Sequence, residues 1–300
     1  MDFPRLLFIL AIGVSGVAIF SFTLLIRNTN LPRMEISETP DRYGIIYSEV
    51  QFKSCDGLIL KGWSAVQDDS VPTIILCHGL GTNRSDMLIF ASFLHKAGWN
   101  LFLFDFRGHG ESQGKVTSFG YLEQRDLAGA IQYLDSRSDL VDHRYGVFGI
   151  SMGAAVAVLE AAQNPKIQAV AADSCFASLS ASIKRYVTLL YHLPSFLFGD
   201  LACLAWEVRF RTFIRAVSPQ DRIGEIAPRA ILILQGEKDD RILASEAAQL
   251  FERANNPKEL WIIPGAGHLE SFHLDPQGYR DRVTQFFKKN LPLNAKRTLS

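Results

Sequence analysis

A sharp turn between a short apolar run and a run of small residues constrains the fold of this chain more than any other feature. The run Tyr145–Ile150 predicts a short buried strand, and the run Ala154–Ala162 predicts a buried helix. Between the two runs lies a G-x-S-x-G motif formed by Gly149, Ser151 and Gly153. A serine at such a turn has a strained backbone, and flanking glycines remove the side chains that would clash. The motif is typical of a nucleophile elbow; the alternative is a serine that merely caps the helix.

Strands and helices alternate along most of the chain. The predicted strands are 48–53, 58–65, 73–78, 100–105, 144–150, 167–173, 230–236 and 258–263. The predicted helices between and after them are 85–97, 121–136, 151–163, 244–253 and 276–290. This alternation predicts an α/β domain over residues 45–290, with a mostly parallel, doubly wound sheet covered by helices on both faces. The first two strands flank a turn-forming Cys-Asp-Gly run, which favours an antiparallel hairpin.

Residues 178–217 do not follow the alternation. They show helical periodicity interrupted at Pro194 and Gly199, and they are rich in aromatic and basic residues. Such an insertion between two strands is too long for an ordinary loop. We therefore predict two or three helices that form a cap over the carboxyl edge of the sheet. Packing on the domain explains their apolar face, and contact with a membrane is the alternative use.

The amino-terminal segment contains a long apolar run. Residues Leu6–Ile26 carry no charge and are long enough to span a bilayer as a helix. We expect residues 1–27 to form an uncleaved transmembrane anchor, since the run exceeds the usual length of a signal-peptide core. A cleaved signal peptide and a buried core helix are the alternatives. The flanking charges, with the amino terminus and Arg5 on one side and Arg27, Arg33 and Arg42 on the other, are nearly balanced and do not orient the segment. Residues 28–44 are interpreted as a linker and residues 291–300 as a tail.

Composition excludes several kinds of partner. The chain has 31 basic and 31 acidic residues, and no basic stripe with interleaved aromatics occurs, so nucleic acid is not an expected partner. The four cysteines are far apart in sequence and predict neither a zinc site nor a disulfide framework. No metal-ligand spacing occurs, and we expect no cofactor or metal. Nothing in the pattern specifies an oligomeric state.

A serine nucleophile needs a base and an acid that orients the base. In elbow-type enzymes these follow in the order serine, acid, histidine, each at the end of a strand. Of the histidines after Ser151, only His268 stands in a glycine-rich loop directly after a predicted strand. His192 lies in the insertion, and His273 lacks the loop. The acid is expected after strand 230–236, as either Asp239 or Asp240.

An oxyanion hole needs two backbone N–H donors. One is expected from the residue after the nucleophile, Met152, and the other from the loop that follows strand 73–78, with Leu80 as the better candidate. His78 opens this loop and is interpreted as a structural residue rather than a catalytic one.

Six ordered motifs carry a family resemblance. They are Cys77–Gly81, Asp105–Ser112, Gly149–Gly153, Ser218–Asp221, Gly236–Asp239 and Gly265–His268. Together they resemble the α/β-hydrolase superfamily, and within it the esterase-like branch related to prolyl-oligopeptidase catalytic domains and the Bem46-like group. The resemblance covers residues 45–290. It implies that Asp239 rather than Asp240 is the acid, and that residues 105–112 form a structural loop beside the site.

The hypothesis that follows is a membrane-anchored serine hydrolase with the triad Ser151, Asp239 and His268. The apolar insertion and the anchor favour small-molecule carboxylic esters or lipid-like acyl substrates. A peptidase or an acyl-thioesterase with the same triad is the alternative. A non-catalytic binding protein with a hydrolase fold is a further alternative, which the complete triad disfavours.

Overall fold

The computed structural model describes residue 16 and residues 19–293. Residues 1–15, 17 and 18 contain most of the predicted anchor, and residues 294–300 contain most of the predicted tail; these residues lie outside the described part. Within the described part, no helix is both long enough and apolar enough to cross a membrane. The structure therefore lends no support to the predicted transmembrane span, which stays a prediction from the sequence.

Within the described residues the chain builds one eight-stranded sheet. The strands are β1 (Ser48–Lys53), β2 (Ile59–Ala65), β3 (Thr73–Cys77), β4 (Asn100–Phe104), β5 (Tyr145–Ile150), β6 (Ile167–Asp173), β7 (Ala230–Gly236) and β8 (Lys258–Ile263). Their spatial order is β1-β2-β4-β3-β5-β6-β7-β8. The pairs β1–β2 and β2–β4 are antiparallel, and all other neighbouring pairs are parallel. The predicted hairpin and the mostly parallel sheet are both confirmed.

Helices cover both faces of this sheet. The helices are α1 (residues 19–29), α2 (Leu88–Lys96), α3 (Glu123–Asp135), α4 (Met152–Gln163), α5 (Leu179–Tyr191), α6 (Asp200–Phe210), α7 (Pro219–Arg222), α8 (Ala244–Arg253), α9 (Ser271–Leu274) and α10 (Pro276–Asn290). Short 3-10 turns lie at Pro40–Tyr43, Arg84–Met87, Ile214–Ala216 and Ile223–Ile226.

Two hydrophobic cores lie on opposite faces of the sheet. Successive residues of β3 alternate between them: Ile75 and Cys77 join the core beneath α3, α4 and α8, whereas Ile74 and Leu76 join the core beneath α2 and α10. Strands buried on both faces are continuously apolar, which explains why the central runs of the sequence show no alternation of polar residues. The faces are therefore fully occupied, and the carboxyl edge of the parallel strands is left to bind ligands.

The predicted cap is helical. It consists of α5, a π-helical turn at Ser195–Gly199, and α6. The indole of Trp206 on α6 is fully buried, and its Nε1 donates a hydrogen bond to the Ser118 carbonyl at 3.3 Å. Its ring also contacts Tyr121 and Phe210. This buried anchor point fixes the cap on the domain.

The segment before the sheet is held closely on the domain. Helix α1 continues two residues past the predicted end of the anchor at residue 27, and Ser21, Leu25 and Thr29, which share one helical face, are buried. Further along, the guanidinium of Arg33 donates hydrogen bonds to backbone carbonyls of the loop 110–114. The Asn83 amide donates to the carbonyl oxygens at positions 34 and 35. The segment 28–44, predicted as a linker, therefore makes specific contacts with the domain.

Candidate active site

The turn between β5 and α4 has the geometry of a nucleophile elbow. Ser151 has φ 50° and ψ −116°, a conformation that residues other than glycine rarely adopt. A Cβ on Gly149 would lie 2.4 Å from the Gly153 carbonyl oxygen, and a Cβ on Gly153 would lie 2.2 Å from the Cys77 carbonyl oxygen. Both glycines are thus required by close backbone contacts. The Ser151 side chain makes no capping hydrogen bond, which removes the support for the alternative of a simple helix cap.

Asp239 and His268 form a hydrogen-bonded pair. The Nδ1–H of His268 donates to Oδ2 of Asp239 at 2.7 Å, and this bond assigns the tautomer that leaves Nε2 free to accept a proton. The Asp239 carboxylate is buried and also accepts bonds from the Gln235 amide and from the backbone N–H groups of Arg241 and Ile242. Burial alone would raise the pKa of Asp239, but the bonds from His268, Ile242 and Gln235 hold this pKa below its ordinary value. The carboxylate is therefore ionised and able to orient the imidazole.

The other candidates for the acid and the base do not form such a pair. Asp240 is exposed, in contrast to its buried neighbour. His192 ends α5 in a left-handed conformation, and His273 lies on α9; both are exposed. Of the three histidines that follow Ser151, His268 alone has a hydrogen-bonded carboxylate partner in the part of the chain that the structure describes.

The loops that carry the pair follow adjacent strands. A Cβ on Gly236, at the end of β7, would lie 2.5 Å from the Ala266 carbonyl oxygen after β8, so the two loops are in direct contact. Within residues 19–293, no hydrogen bond joins the Ser151 hydroxyl to His268. Such catalytic bonds are often long in a free enzyme and shorten when substrate binds.

Asp173, a buried residue that is not among the predicted site residues, supports the elbow through its backbone. Asp173 ends β6, and its backbone carbonyl accepts a hydrogen bond from the Ser151 N–H at 2.8 Å. Its carboxyl accepts bonds from the Tyr279 hydroxyl at 2.6 Å and from Ser174. Burial raises the pKa of Asp173 to about 6 in spite of these bonds. The sequence could have indicated this residue, because Asp173 ends the next predicted strand after the elbow strand.

The predicted oxyanion donors lie beside the nucleophile. A Cβ on Gly79 would be 3.7 Å from the Ser151 Cβ, which places the loop after β3 against the elbow. Leu80 and Met152 line the same cavity as Ser151. Met152 is the first residue of α4, where backbone N–H groups have no partner within the helix and the helix dipole is positive. The positions agree with the predicted role of both residues, which stays a prediction.

Two histidines hold the loop that follows β3. The fully buried His78 donates from Nδ1 to the Gly79 carbonyl at 2.7 Å and accepts at Nε2 from the Phe106 N–H at 3.0 Å. His109 accepts at Nε2 from the Gly81 N–H at 3.1 Å. His78 is therefore a structural residue, as predicted. Burial, with the nearby charges of His109 and Arg84, holds the pKa of His78 well below its ordinary value.

This lowered pKa predicts a pH-dependent contribution to stability. His78 is neutral in the folded protein, whereas the unfolded chain binds a proton at this residue below about pH 6.5. The folded state therefore binds fewer protons, and stability falls as the pH drops. His78 should account for about 1.4 kcal/mol of the unfolding free energy lost between about pH 7.5 and pH 5.5. Urea denaturation of the wild type and His78→Gln at both pH values tests this, since effects of the other titrating groups cancel in the difference. An identical loss in the two proteins would contradict it.

The loop after β4 is held by structural contacts. The Arg107 guanidinium forms hydrogen bonds with the carboxylates of Asp126 and Asp56 and is itself buried. The guanidinium of Arg84 pairs with Asp105 at the start of the same loop. These charges are neutralised locally, in agreement with the predicted structural role of residues 105–112.

An apolar cavity of about 200 Å³ opens on Ser151. Its walls come from the elbow, from the cap helix α5 and from α1. The contribution of α1, through Ser21, Leu24, Leu25 and Asn28, was not predicted, because the apolar run assigns residues 19–26 to the bilayer. The spacing of these four residues, at i, i+3, i+4 and i+7, was the available signal for a helical face packed on protein.

Comparison with known proteins agrees with this geometry. A family model described as the alpha/beta hydrolase family matches residues 74–282, more than half of the chain. This chain belongs to the alpha/beta hydrolase family. The resemblance to the α/β-hydrolase superfamily inferred from the six motifs is thereby confirmed.

Relatives and solved structures match over most of this chain. The uncharacterized protein YqkD of Bacillus subtilis is 32% identical over 237 residues, which are 78% of this chain and 76% of YqkD. The alpha/beta hydrolase domain-containing protein WAV2 of Arabidopsis thaliana is 27% identical over 271 residues, 86% of this chain and 84% of WAV2. The structure of the Pyrococcus furiosus esterase Pf2001 is similar with a TM-score of 0.75 and 28% identity, over 88% of this chain and 99% of the esterase. Pyrococcus horikoshii acylaminoacyl peptidase shares the fold, with a TM-score of 0.63 and 19% identity, over 84% of this chain and 43% of the peptidase.

Proposed function

We propose that this protein is a serine hydrolase that cleaves carboxylic esters or lipid-like acyl substrates. The observation that carries the proposal is the apolar cavity that opens on Ser151 at a strained elbow, with a buried carboxylate orienting a histidine after the neighbouring strands. The likeness to the esterase Pf2001 supports ester substrates in particular. An apolar cavity binds an acyl chain by the hydrophobic effect and leaves the polar carbonyl at its mouth.

The geometry of the site supports the following reaction as part of the proposal. The Ser151 hydroxyl attacks the substrate carbonyl while His268 accepts the hydroxyl proton, and Asp239 holds the imidazole in the required tautomer. The backbone N–H groups of Leu80 and Met152 stabilise the negative charge on the tetrahedral oxygen. His268 then donates the proton to the leaving alcohol, and water hydrolyses the acyl-enzyme by the same steps.

We also propose that the enzyme acts at a membrane, anchored through residues 1–27. The support from the sequence is the uncharged run Leu6–Ile26. The support from the fold is a set of exposed apolar side chains on the cap and on α1: Phe196 is 78% exposed, Phe213 65%, Val208 64% and Ile19 67%. Exposed apolar side chains concentrated on one substructure are typical of a surface that contacts lipid or protein.

A fluorophosphonate probe tests both parts of the proposal on the full chain. We expect the probe to label the wild type and not Ser151→Ala, and we expect the labelled protein to remain with membranes after an alkaline wash. The matched control is Ser174→Ala, another serine with a positive φ at a strand end, which should keep its label. Labelling of Ser151→Ala would exclude the assigned nucleophile, and release of labelled protein by the wash would exclude the anchor. Dominant cleavage of dipeptide amides or acyl-CoA over p-nitrophenyl esters would favour the peptidase or thioesterase alternative.

A further inference from the structure

One complete face of α5 lines the cavity. Its lining residues are Leu179, Ser182, Ile183, Tyr186, Val187, Leu190 and Tyr191. They recur at helical spacing from the first to the last turn, so the lined face is about 18 Å long at 1.5 Å per residue. The cavity is therefore an elongated groove that runs along α5, rather than a rounded pocket at the nucleophile alone.

Helix α1 supplies another wall of this groove. Four of its residues line the cavity, and two of them, Leu24 and Leu25, are apolar. The Asn28 amide donates a hydrogen bond to the Tyr191 hydroxyl at the end of α5, at 2.9 Å. The Phe20 ring contacts Phe198 of the cap edge-on, with ring centroids 6.1 Å apart. These contacts attach α1 to the cap and fix its distance from α5.

We propose that α1 is a wall of an acyl-chain groove and that Leu24 sets the length of the acyl chain that the enzyme accepts. This inference rests on the proposed esterase function. Leu24 is partly buried and faces the groove, whereas Leu25 is 5% exposed and belongs to the domain core. A side-chain change at Leu24 therefore alters the groove with less disturbance of the core. An apolar cavity of ~150 Å³ holds benzene, so the present one holds on the order of eight carbon atoms.

The groove also joins the two parts of the proposed function. The predicted bilayer run, Leu6–Ile26, overlaps α1 over residues 19–26, so the carboxyl-terminal part of the proposed anchor is the helix that lines the groove. The substrate class that fits is an ester of a medium-length acyl chain taken from, or dissolved in, a lipid surface. Removal of residues 1–27 would delete Leu24 and Leu25, so the test below requires the full chain.

The test compares kcat/KM for p-nitrophenyl butyrate, octanoate and dodecanoate in detergent micelles. Each methylene excluded from an apolar site costs about fourfold in kcat/KM. Leu24→Trp, by filling two carbon positions, should lower the octanoate-to-butyrate ratio about 16-fold. Leu24→Ala should raise the dodecanoate-to-octanoate ratio at least about fourfold. The matched controls are Ile26→Trp and Ile26→Ala, because Ile26 is a side chain of the same size on the same helix that does not line the cavity.

The outcomes separate two claims: that α1 is a wall of the groove, and that the protein hydrolyses esters. The assignment of α1 as a groove wall would be overturned if both Leu24 variants had the same chain-length ratios of kcat/KM as the matching Ile26 controls. If Leu24→Trp does not fold, Leu24→Ala decides the question alone. Failure of the proposed function is a separate result: a wild type with no ester turnover and no label at Ser151, rather than an active enzyme with unchanged chain-length ratios.

Discussion

If the proposed triad operates, Asp239→Asn is expected to lower kcat/KM for a short p-nitrophenyl ester by about 10⁴-fold, as the corresponding change does in a well-studied Ser-His-Asp protease. The amide introduced by this substitution would offer an N–H where the carboxylate now accepts from His268 at 2.7 Å. The imidazole would then turn to the tautomer whose Nε2 carries a proton and cannot accept one from Ser151. Steady-state kinetics on the purified full chain measures the loss.

The adjacent residue provides the control for this prediction. Asp240 is exposed and has the same side chain one position along the same loop. Asp240→Asn should leave kcat/KM within about twofold of the wild type, since exposed substitutions rarely matter. A large loss in Asp240→Asn with little effect in Asp239→Asn would contradict the assignment of the acid.

Gly153→Ala is expected to lower the unfolding free energy by about 3 kcal/mol, because overpacking against a rigid backbone is costly. The added Cβ would lie 2.2 Å from the Cys77 carbonyl oxygen and 2.5 Å from that of His78. Relief would require α4 to move away from β3, which opens the core at the nucleophile. The midpoint of thermal unfolding should fall by roughly 6–12 °C.

Gly79→Ala is the matched control for Gly153→Ala. A Cβ on Gly79 would meet the Ser151 Cβ at 3.7 Å, an ordinary contact distance, in the same small region of the molecule. Its unfolding midpoint should stay within about 2 °C of the wild type. Equal loss in both variants would show that any added side chain near the elbow is destabilising, and would contradict the argument from the close approach of the Gly153 backbone.

The elbow and its support explain why the site sits where it does. A strained serine persists only when its surroundings hold it in place. Here the Ser151 N–H is bonded to the Asp173 carbonyl, and the flanking glycines let α4 press against β3. The strain is thus maintained by β5, β6 and β3 together, and the hydroxyl is presented to the cavity. These supports are backbone contacts, which tolerate wide changes of side chain elsewhere.

Much of the fold was predictable because its signals are local. The eight strands were each predicted to within one residue at either end, since buried parallel strands are continuous apolar runs bounded by polar or glycine residues. The π-helical turn at Ser195–Gly199 and the short helices α7 and α9 were not predicted, because one or two turns contain too few residues to show a period. The motif order also led to His268, since of the histidines after Ser151 it alone stands in a glycine-rich loop directly after a predicted strand.

The choice between Asp239 and Asp240 needed more than local pattern. The residues are adjacent, and only the family resemblance favoured the first. The structure distinguishes them by burial and by four hydrogen bonds to the Asp239 carboxylate from His268, Gln235, Arg241 and Ile242. Gln235, Arg241 and Ile242 are local to Asp239, but His268 reaches it only because β7 and β8 lie side by side, a non-local fact that spacing along the chain does not carry.

The sequence by itself determined the fold class and the position of the elbow turn, because strand runs, helical periods and the Gly149–Gly153 turn are each formed by neighbouring residues. Tertiary structure alone decided the path of α1. An apolar helix that crosses a bilayer and one that lines an apolar groove bury the same kind of surface, so composition does not separate them. What separates residues 19–29 from the rest of the apolar run is the partner on the other side: the Tyr191 hydroxyl for Asn28, the Phe198 ring for Phe20, and the groove beside Ser151 for Leu24.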